Sequence, residues 1–274
     1  ASAPNQPAPV PLSTDSTWDR IQSTKVLRLG AAISEPWYFK DTTQSDAPGS
    51  VMSGSEMWRG VGTVVGKELA DALGVQLEVV ETTWGNAVAG LQTEQFDLMF
   101  LLDGTPQRAL AIDFVPAPLL WYPLVLLARD GIEIGTWSEA DDPKYNWGVA
   151  LGTSNDQFIT KTAPKAQISR FQTNGENVAA FQSGRIDGML ATGPYADLNR
   201  VRLGMGKTLV PQPPAAMAAG TGLRYEQDPR FKSFLTTSLT YLYNSGRTEE
   251  LFQQQMAFRN VDPAEVTSVM REKW

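Results

Sequence analysis

The chain has no histidine and no cysteine among its 274 residues. Without imidazole it holds no Ser-His-Asp triad, no histidine general base and no His-ligated zinc. Without a thiol it holds no cysteine nucleophile, thiolate metal site, iron–sulfur cluster or disulfide. Basic charge is also short: 23 Lys and Arg against 30 Asp and Glu give a formal net charge of −7 and a pI near 4.8. Nucleic acid and anionic membrane both select basic surfaces, so neither is expected as the main partner. No apolar run approaches the roughly 18–20 residues of a membrane-spanning helix. Carboxylate chemistry and non-covalent binding remain, with no metal and no cofactor expected.

Apolar material is ample. Hydrophobic residues make up 42% of the chain, with eight tryptophans, seven tyrosines and eleven phenylalanines as bulky anchors. At about 100–200 residues per domain, the length fits one large domain or two modest ones. Ala1 to Leu12 carries four prolines and no periodicity, so residues 1–24 are expected to form a flexible leader. This stretch lacks the basic start and apolar core of a signal peptide. An exported chain already trimmed to maturity would begin like this, and so would a cytosolic chain with a flexible start. A first residue other than cysteine points away from a lipid anchor and toward a periplasmic location.

From Lys25 onward, short β-rich runs alternate with helical stretches, the pattern of an α/β fold. Val26 to Gly30 reads as a strand. Val61, Val65, Leu69 and Leu73 fall four apart, which predicts a helix over 62–73 stopped by Gly74. Val75, Leu77 and Val79 alternate as a strand; a helix over 86–93 and an apolar strand over 96–101 follow. Further strands are expected at 123–128 and 147–152, and two helices over 231–256. An internal echo links the halves. Leu91-Gln92-Thr93-Glu94-Gln95-Phe96-Asp97-Leu98-Met99 recurs ninety residues later as Phe181-Gln182-Ser183-Gly184-Arg185-Ile186-Asp187-Gly188-Met189. Either two helix–turn–strand units resemble each other by chance, or two lobes share one plan and hold a ligand between strand ends.

Several segments in order carry a family likeness: Val26-Leu27-Arg28-Leu29-Gly30, Gly66 to Val75, Phe96-Asp97-Leu98-Met99, Thr105-Pro106-Gln107-Arg108-Ala109, Gly152-Thr153-Ser154-Asn155, Gly184 to Gly188 and Gly220 to Arg224. Through them, Gly30 to about Gln255 resembles the periplasmic solute-binding proteins of ABC importers, of the polar amino-acid (family 3) type. The resemblance implies a periplasmic-binding-protein-like type II α/β fold, two lobes joined by two crossing segments with a ligand cleft between them. Lobe one would comprise 25–119 and a return over 215–274, and lobe two 120–214. The crossings would lie near Ala117–Tyr122 and Pro211–Met217. A monomer that delivers a small zwitterionic or amine-bearing solute to a membrane permease is implied, without catalysis.

The same resemblance directs attention to particular residues. Threonine is a good N-cap and proline suits the first helical position, so a helix is expected after Thr105 with Arg108 in its first turn. In the family the arginine here binds the ligand carboxylate, a task suited to planar guanidinium donors; otherwise Arg108 is a surface residue on a capped helix. Thr153 and Ser154 would close on the same carboxylate through a helix N-terminus, or serve as an ordinary cap.

Two positions depart from the family pattern. Asp103 stands where a serine or threonine is usual, and neutral Thr192 stands where an aspartate usually meets the α-ammonium. Asp103 either pairs locally with Arg108 or nearby N–H groups, or holds a cationic nitrogen displaced from its usual place. The second reading favours an ω-amino acid such as γ-aminobutyrate, or an unusual derivative. Among aromatic candidates Trp37 and Phe100 are favoured, with Trp84 and Tyr195 behind them and Glu35 beside Trp37. A box of rings would instead suit a betaine or another quaternary amine.

Two other classes compete. A cyclohexadienyl-dehydratase-like enzyme on this fold would need a general-acid carboxylate, Glu35 or Asp103. Against it, no carboxylate lies between Asp187 and Asp197 to serve from lobe two. A ligand-sensing module is the other alternative. Met99, Met189 and Met217 are expected to fill core or cleft, and Glu249-Glu250 to be solvated charge.

Overall fold

The computed structural model describes residues 12–274. The chain divides into two compact units, unit 1 with residues up to Leu120 and Ala218–Gln255, and unit 2 with Trp121–Met217 and Met256–Trp274.

Unit 1 opens with α1 (Thr17–Thr24) and β1 (Val26–Ala32). The leader expected over 1–24 is therefore a helix in its last third. Ser16 caps α1 by accepting the Asp19 N–H, and Ile21 is fully buried. Residues 1–11 lie outside the described range. A small antiparallel sheet follows, β2 (Phe39–Lys40), β3 (Val51–Ser53) and β4 (Glu56–Arg59), ordered β2-β4-β3. Helix α2 (Val61–Leu73) buries Val61, Val65 and Leu69 and ends at left-handed Gly74, as the four-residue spacing requires. β5 (Gln76–Thr82) then pairs in parallel with β1 from Val26↔Gln76 to Ala32↔Thr82. After α3 (Ala87–Gln92), the strand expected over 96–101 shrinks to β6 (Met99–Phe100). Leu98 makes only a bridge to Leu29, and Leu101 turns to a left-handed φ of 67°. α4 (Pro106–Ala109) and β7 (Asp113–Phe114) complete this first part.

Unit 2 contains β8 (Leu120–Ala128) from Trp121 on, α5 (Trp137–Ala140), β9 (Asn146–Ala150), α6 (Ser154–Thr162), β10 (Gln167–Phe171), α7 (Asn174–Gln182), β11 (Gly188–Thr192), α8 (Gly193–Leu203), β12 (Lys207–Leu209) and the first two residues of β13 (Ala216–Ala219). Its sheet runs β10-β9-β11-β8-β12, with β13 also on β8. Both faces of β8 are covered. Leu124 and Leu126 pack with Trp147 and Ile159, whereas Val125 and Leu127 pack with Phe181 and Met189. An uninterrupted apolar run is what such a central strand needs.

The chain returns to unit 1 with β14 (Thr221–Leu223), which inserts between β6 and β7, and with α9 (Arg230–Asn244) and α10 (Arg247–Phe258). The return is shorter than the expected 215–274, because residues 256–274 cluster with unit 2. Val269 is buried there and accepts the Trp121 N–H at 3.0 Å. Glu249, expected in solvent, is buried on α10.

The sequence echo is repeated atom for atom. Asp97 accepts the Arg28 N–H at 2.8 Å and returns its own N–H to the Arg28 carbonyl at 2.8 Å. Asp187 does the same to Asn146, at 2.8 and 2.9 Å. Two residues beyond each partner sits a glycine under the ring or branch that precedes the aspartate. A Cβ on Gly30 would meet Phe96 at 2.7 Å, and one on Gly148 would meet Ile186 at 2.5 Å. Each aspartate thus fixes where a parallel strand starts, and each glycine lets the following helix–turn sit close.

Candidate functional site

In unit 1, β6 delivers the chain to a loop pinned by Gly220. Leu101 and Leu102 donate to the Gly220 carbonyl at 2.8 and 3.3 Å, and a Cβ on Gly220 would stand 2.4 Å from the Leu102 carbonyl oxygen. The loop then presents Asp103. Thr105 caps α4 through the Arg108 N–H at 3.1 Å, with Pro106 at the first helical position. A four-residue helix has little stability of its own; the Tyr225 hydroxyl helps to hold it by donating to the Ala109 carbonyl. Arg108 points one Nη1 donor at the Asp103 backbone carbonyl, 3.0 Å away. Its other donors have no protein partner among the described residues.

Asp103 and Arg108 therefore do not form the local ion pair that the sequence left open. The Asp103 carboxylate, on an exposed residue, has no hydrogen bond or ion pair among the described residues. Partial desolvation raises its pKa above the ordinary carboxylate value, and the Arg108 charge pulls the other way. A positive anchor and an unpaired negative one thus stand five residues apart on one rigidified loop.

The aromatic candidates separate. Tyr38 is fully buried; its hydroxyl accepts the Phe100 N–H at 3.0 Å and lies 3.4 Å from the Phe100 carbonyl. Phe100 is likewise fully buried, so it is a core side chain here rather than the open ring expected. Trp37 stacks on Phe252 of α10 with ring centroids 6.3 Å apart. Trp84 begins a short 3-10 turn, tilts against Tyr38 at 6.3 Å and keeps 38% of its surface exposed. Exposure therefore favours Trp84 over Trp37 and Phe100. Glu35 lies at the exposed tip of the loop between β1 and β2. That loop rests on the start of α2, where Val61 and Gly62 donate to the Pro36 and Trp37 carbonyls at 3.0 Å. Only glycine fits at Gly60, where a Cβ would lie 2.2 Å from the Trp37 carbonyl oxygen.

In unit 2, Thr153 caps α6. Its hydroxyl is spent locally: it accepts the Asp156 N–H at 3.2 Å and donates to the Ala150 carbonyl at 2.7 Å. Asp156 closes the box by accepting the Gly152 N–H at 2.9 Å. That hydrogen bond, followed by those from Arg170 and Thr160, holds the Asp156 carboxyl below its ordinary value. The Thr153-x-x-Asp156 spacing carried this signal in the sequence. Ser154 is exposed, and its hydroxyl and N–H have no partner among the described residues. Thr192 precedes α8 without making a side-chain cap, so its hydroxyl is also available. Tyr195 is half-buried against the Phe181 core.

Comparison with known proteins decides the family. The sequence profile of the bacterial extracellular solute-binding proteins, family 3, matches residues 41–257. The chain belongs to that family. It is of the amino-acid type that serves ABC transporters, with the type II fold of that group. An ancestral cationic amino acid solute binding protein is 27% identical over 88% of this chain and 99% of its own, with a TM-score of 0.70. An ancestral cyclohexadienyl dehydratase is 23% identical over 89% and 98%, TM-score 0.63. A protein described as a binding component of an ABC transporter from Wolinella succinogenes, complexed with lysine, is 23% identical over 84% and 95%, TM-score 0.61. Family 3 proteins are mostly binders, though enzymes share the fold. In this family 3 chain, no helix among the described residues is long and apolar enough to cross a membrane.

Proposed function

We propose that this family 3 protein captures an amino acid or amino-acid derivative with a positively charged nitrogen in the periplasm and hands it to an ABC permease, without chemical turnover. One observation carries the reading: the Asp103 carboxylate is unpartnered, while Arg108, tied to the Asp103 carbonyl at 3.0 Å, keeps donors free. Guanidinium accepts a carboxylate in bidentate fashion, and an unpaired carboxylate partner accepts an ammonium. Trp84 adds an exposed ring face that suits a cationic or apolar chain. Within unit 2, Ser154 and Thr192 carry neutral hydroxyls suited to a polar solute. With no acid at 192, the amine partner comes from Asp103, which favours an ω-amino or cationic amino acid. Similarity to a protein named for cationic amino acids supports this class. A solute that binds one conformation better than another shifts the population toward it, and that shift is the signal for the permease.

Titration calorimetry across α-, β- and γ-amino acids, lysine, arginine and glycine betaine tests the reading, with Asp103→Asn as the paired variant. Tightest binding by a ligand whose charged nitrogen lies beyond the α-position, weakened by Asp103→Asn, is expected. Preference for neutral α-amino acids with no effect of Asp103→Asn refutes it. Turnover of prephenate would move the protein to the dehydratase class.

A further inference from the structure

We propose that residues 265–271 form a strap that stiffens the first passage of the chain between its two units and so sets how readily that passage bends. The first passage falls at Leu120 and Trp121, the second at Met217 and Ala218, and the third, which leads into the strap, at Gln255 and Met256. Around the first two, β8 and β13 pair, with Leu119 donating to the Ala219 carbonyl and Leu124 to the Ala215 carbonyl, each at 2.9 Å. Between those two bonds, the Trp121 N–H turns instead to the Val269 carbonyl at 3.0 Å. Val269 is 1% exposed, and the Arg271 guanidinium lies 4.9 Å from the centre of the Trp121 ring. The tail thus supplies the backbone acceptor at the passage itself.

The other end of the strap is anchored on α8. Fully buried Asp197 accepts the Thr267 N–H at 2.8 Å and the Thr208 hydroxyl at 2.8 Å, with Arg200 3.6 Å away. Arg200 also pairs with Glu265 at 3.1 Å. Gly193 leaves room for this contact, since a Cβ there would meet Thr267 at 3.0 Å and Pro123 at 3.3 Å. The strap therefore joins the residue that begins unit 2 to the helix start that carries Thr192 and Tyr195.

Hinges are a few residues that absorb changes in φ and ψ. Trp121 can do so only by giving up the Val269 acceptor and the Arg271 contact. Removing the strap lowers that cost and widens the set of accessible conformations.

The cysteine-free sequence makes the test direct. Glu78→Cys in unit 1 and Gln157→Cys in unit 2, both exposed positions, carry spin labels for double electron–electron resonance. The full-length background is compared with a chain ended after Asp262, with Thr267→Pro, which deletes the N–H given to Asp197, and with Arg271→Ala. A broader or shifted distance distribution in the shortened chain and in Thr267→Pro is expected, with a smaller change in Arg271→Ala. Identical distributions in variants that keep the parent circular dichroism overturn the proposal. If the shortened chain fails to fold, the two point variants decide. No ligand is needed, so failure here leaves the solute assignment untouched.

Discussion

The Arg108 guanidinium is bound to the backbone carbonyl of Asp103 at 3.0 Å and not to its carboxylate. The bond orients the cation without neutralising the anion. Both charges stay available to a zwitterion, and the loop that carries them is held at its start by Gly220 and at its end by the Thr105 cap.

Arg108→Lys retains charge but loses the planar donor pair. Affinity for the best ligand in the calorimetric panel should fall by about 10- to 100-fold, the size of losing one or two charge-assisted hydrogen bonds. The unfolding temperature should change little, because the side chain makes one hydrogen bond within the protein. Equal binding by the lysine variant would remove Arg108 from the site.

Asp103→Asn separates affinity from stability. The carboxyl has a raised pKa in the folded protein, so its ionised form is slightly disfavoured by folding above that pKa. The disfavour fades as pH falls and the group protonates. The asparagine variant should therefore be as stable as the parent at neutral pH, or slightly more so. Its affinity for the best ligand in the calorimetric panel should be lower and should not decline as acid protonates position 103, as the parent's is expected to. Calorimetry from pH 4 to 7, beside thermal denaturation, reads both effects.

Acid should also act on the segment 41–48. Arg59 is fully buried; its Nε donates to Asp41 at 2.9 Å, and its other nitrogens donate to the carbonyls of Ser45, Ala47 and Pro48. Hydrogen bonds from Thr43 and Arg59 hold the Asp41 carboxyl down to about 2. A depressed folded pKa gives stability that is present above the unfolded value near about 3.9 and lost as pH falls toward the folded one. Asp41→Asn should flatten stability over that window, and Arg59→Met should lower the unfolding temperature by several degrees at neutral pH, because it strands a buried carboxylate. Denaturation midpoints at pH 2.5, 4 and 7 measure both.

Gly148→Ala should disturb unit 2, since its Cβ would lie 2.1 Å from the Asn177 side-chain oxygen and 2.5 Å from Ile186. Overpacking of this kind costs about 1–3 kcal/mol. Gly30→Ala should do the same in unit 1 against Phe96. Hydrogen exchange resolved by peptide is expected to show loss of protection in the unit that carries the change, and uniform loss across both units would contradict this.

Much of this was readable before the structure. The apolar spacing that ends at Gly74 gives α2, and Thr105-Pro106 gives the start of α4. The recurring helix–turn–Asp pattern points to the paired strand anchors at Asp97 and Asp187. Local periodicity reports local structure, so these features were accessible. Phe100 was not, because the run Phe100-Leu101-Leu102-Asp103 does not say which side chain turns inward. That was settled by Tyr38, 62 residues away, whose hydroxyl meets the Phe100 backbone. Trp37 was similarly claimed by Phe252 from α10. The role of the tail is illegible for the same reason: its acceptor for Trp121 lies far along the chain, and residues 256–274 show no regular period. Thr153 is legible as a cap, since Asp156 three positions on marks its hydroxyl as used locally.

The insertion of β14 between β6 and β7 has a consequence for how the polypeptide is made. Residues 121–217 can begin to assemble as they leave the ribosome, whereas Met99 and Asp113 must wait for Thr221–Leu223 to be translated before their sheet closes. Each half is therefore finished by chain made after residue 217, and until Thr221–Leu223 emerges from the ribosome the strands on either side of its place have no partner to close on.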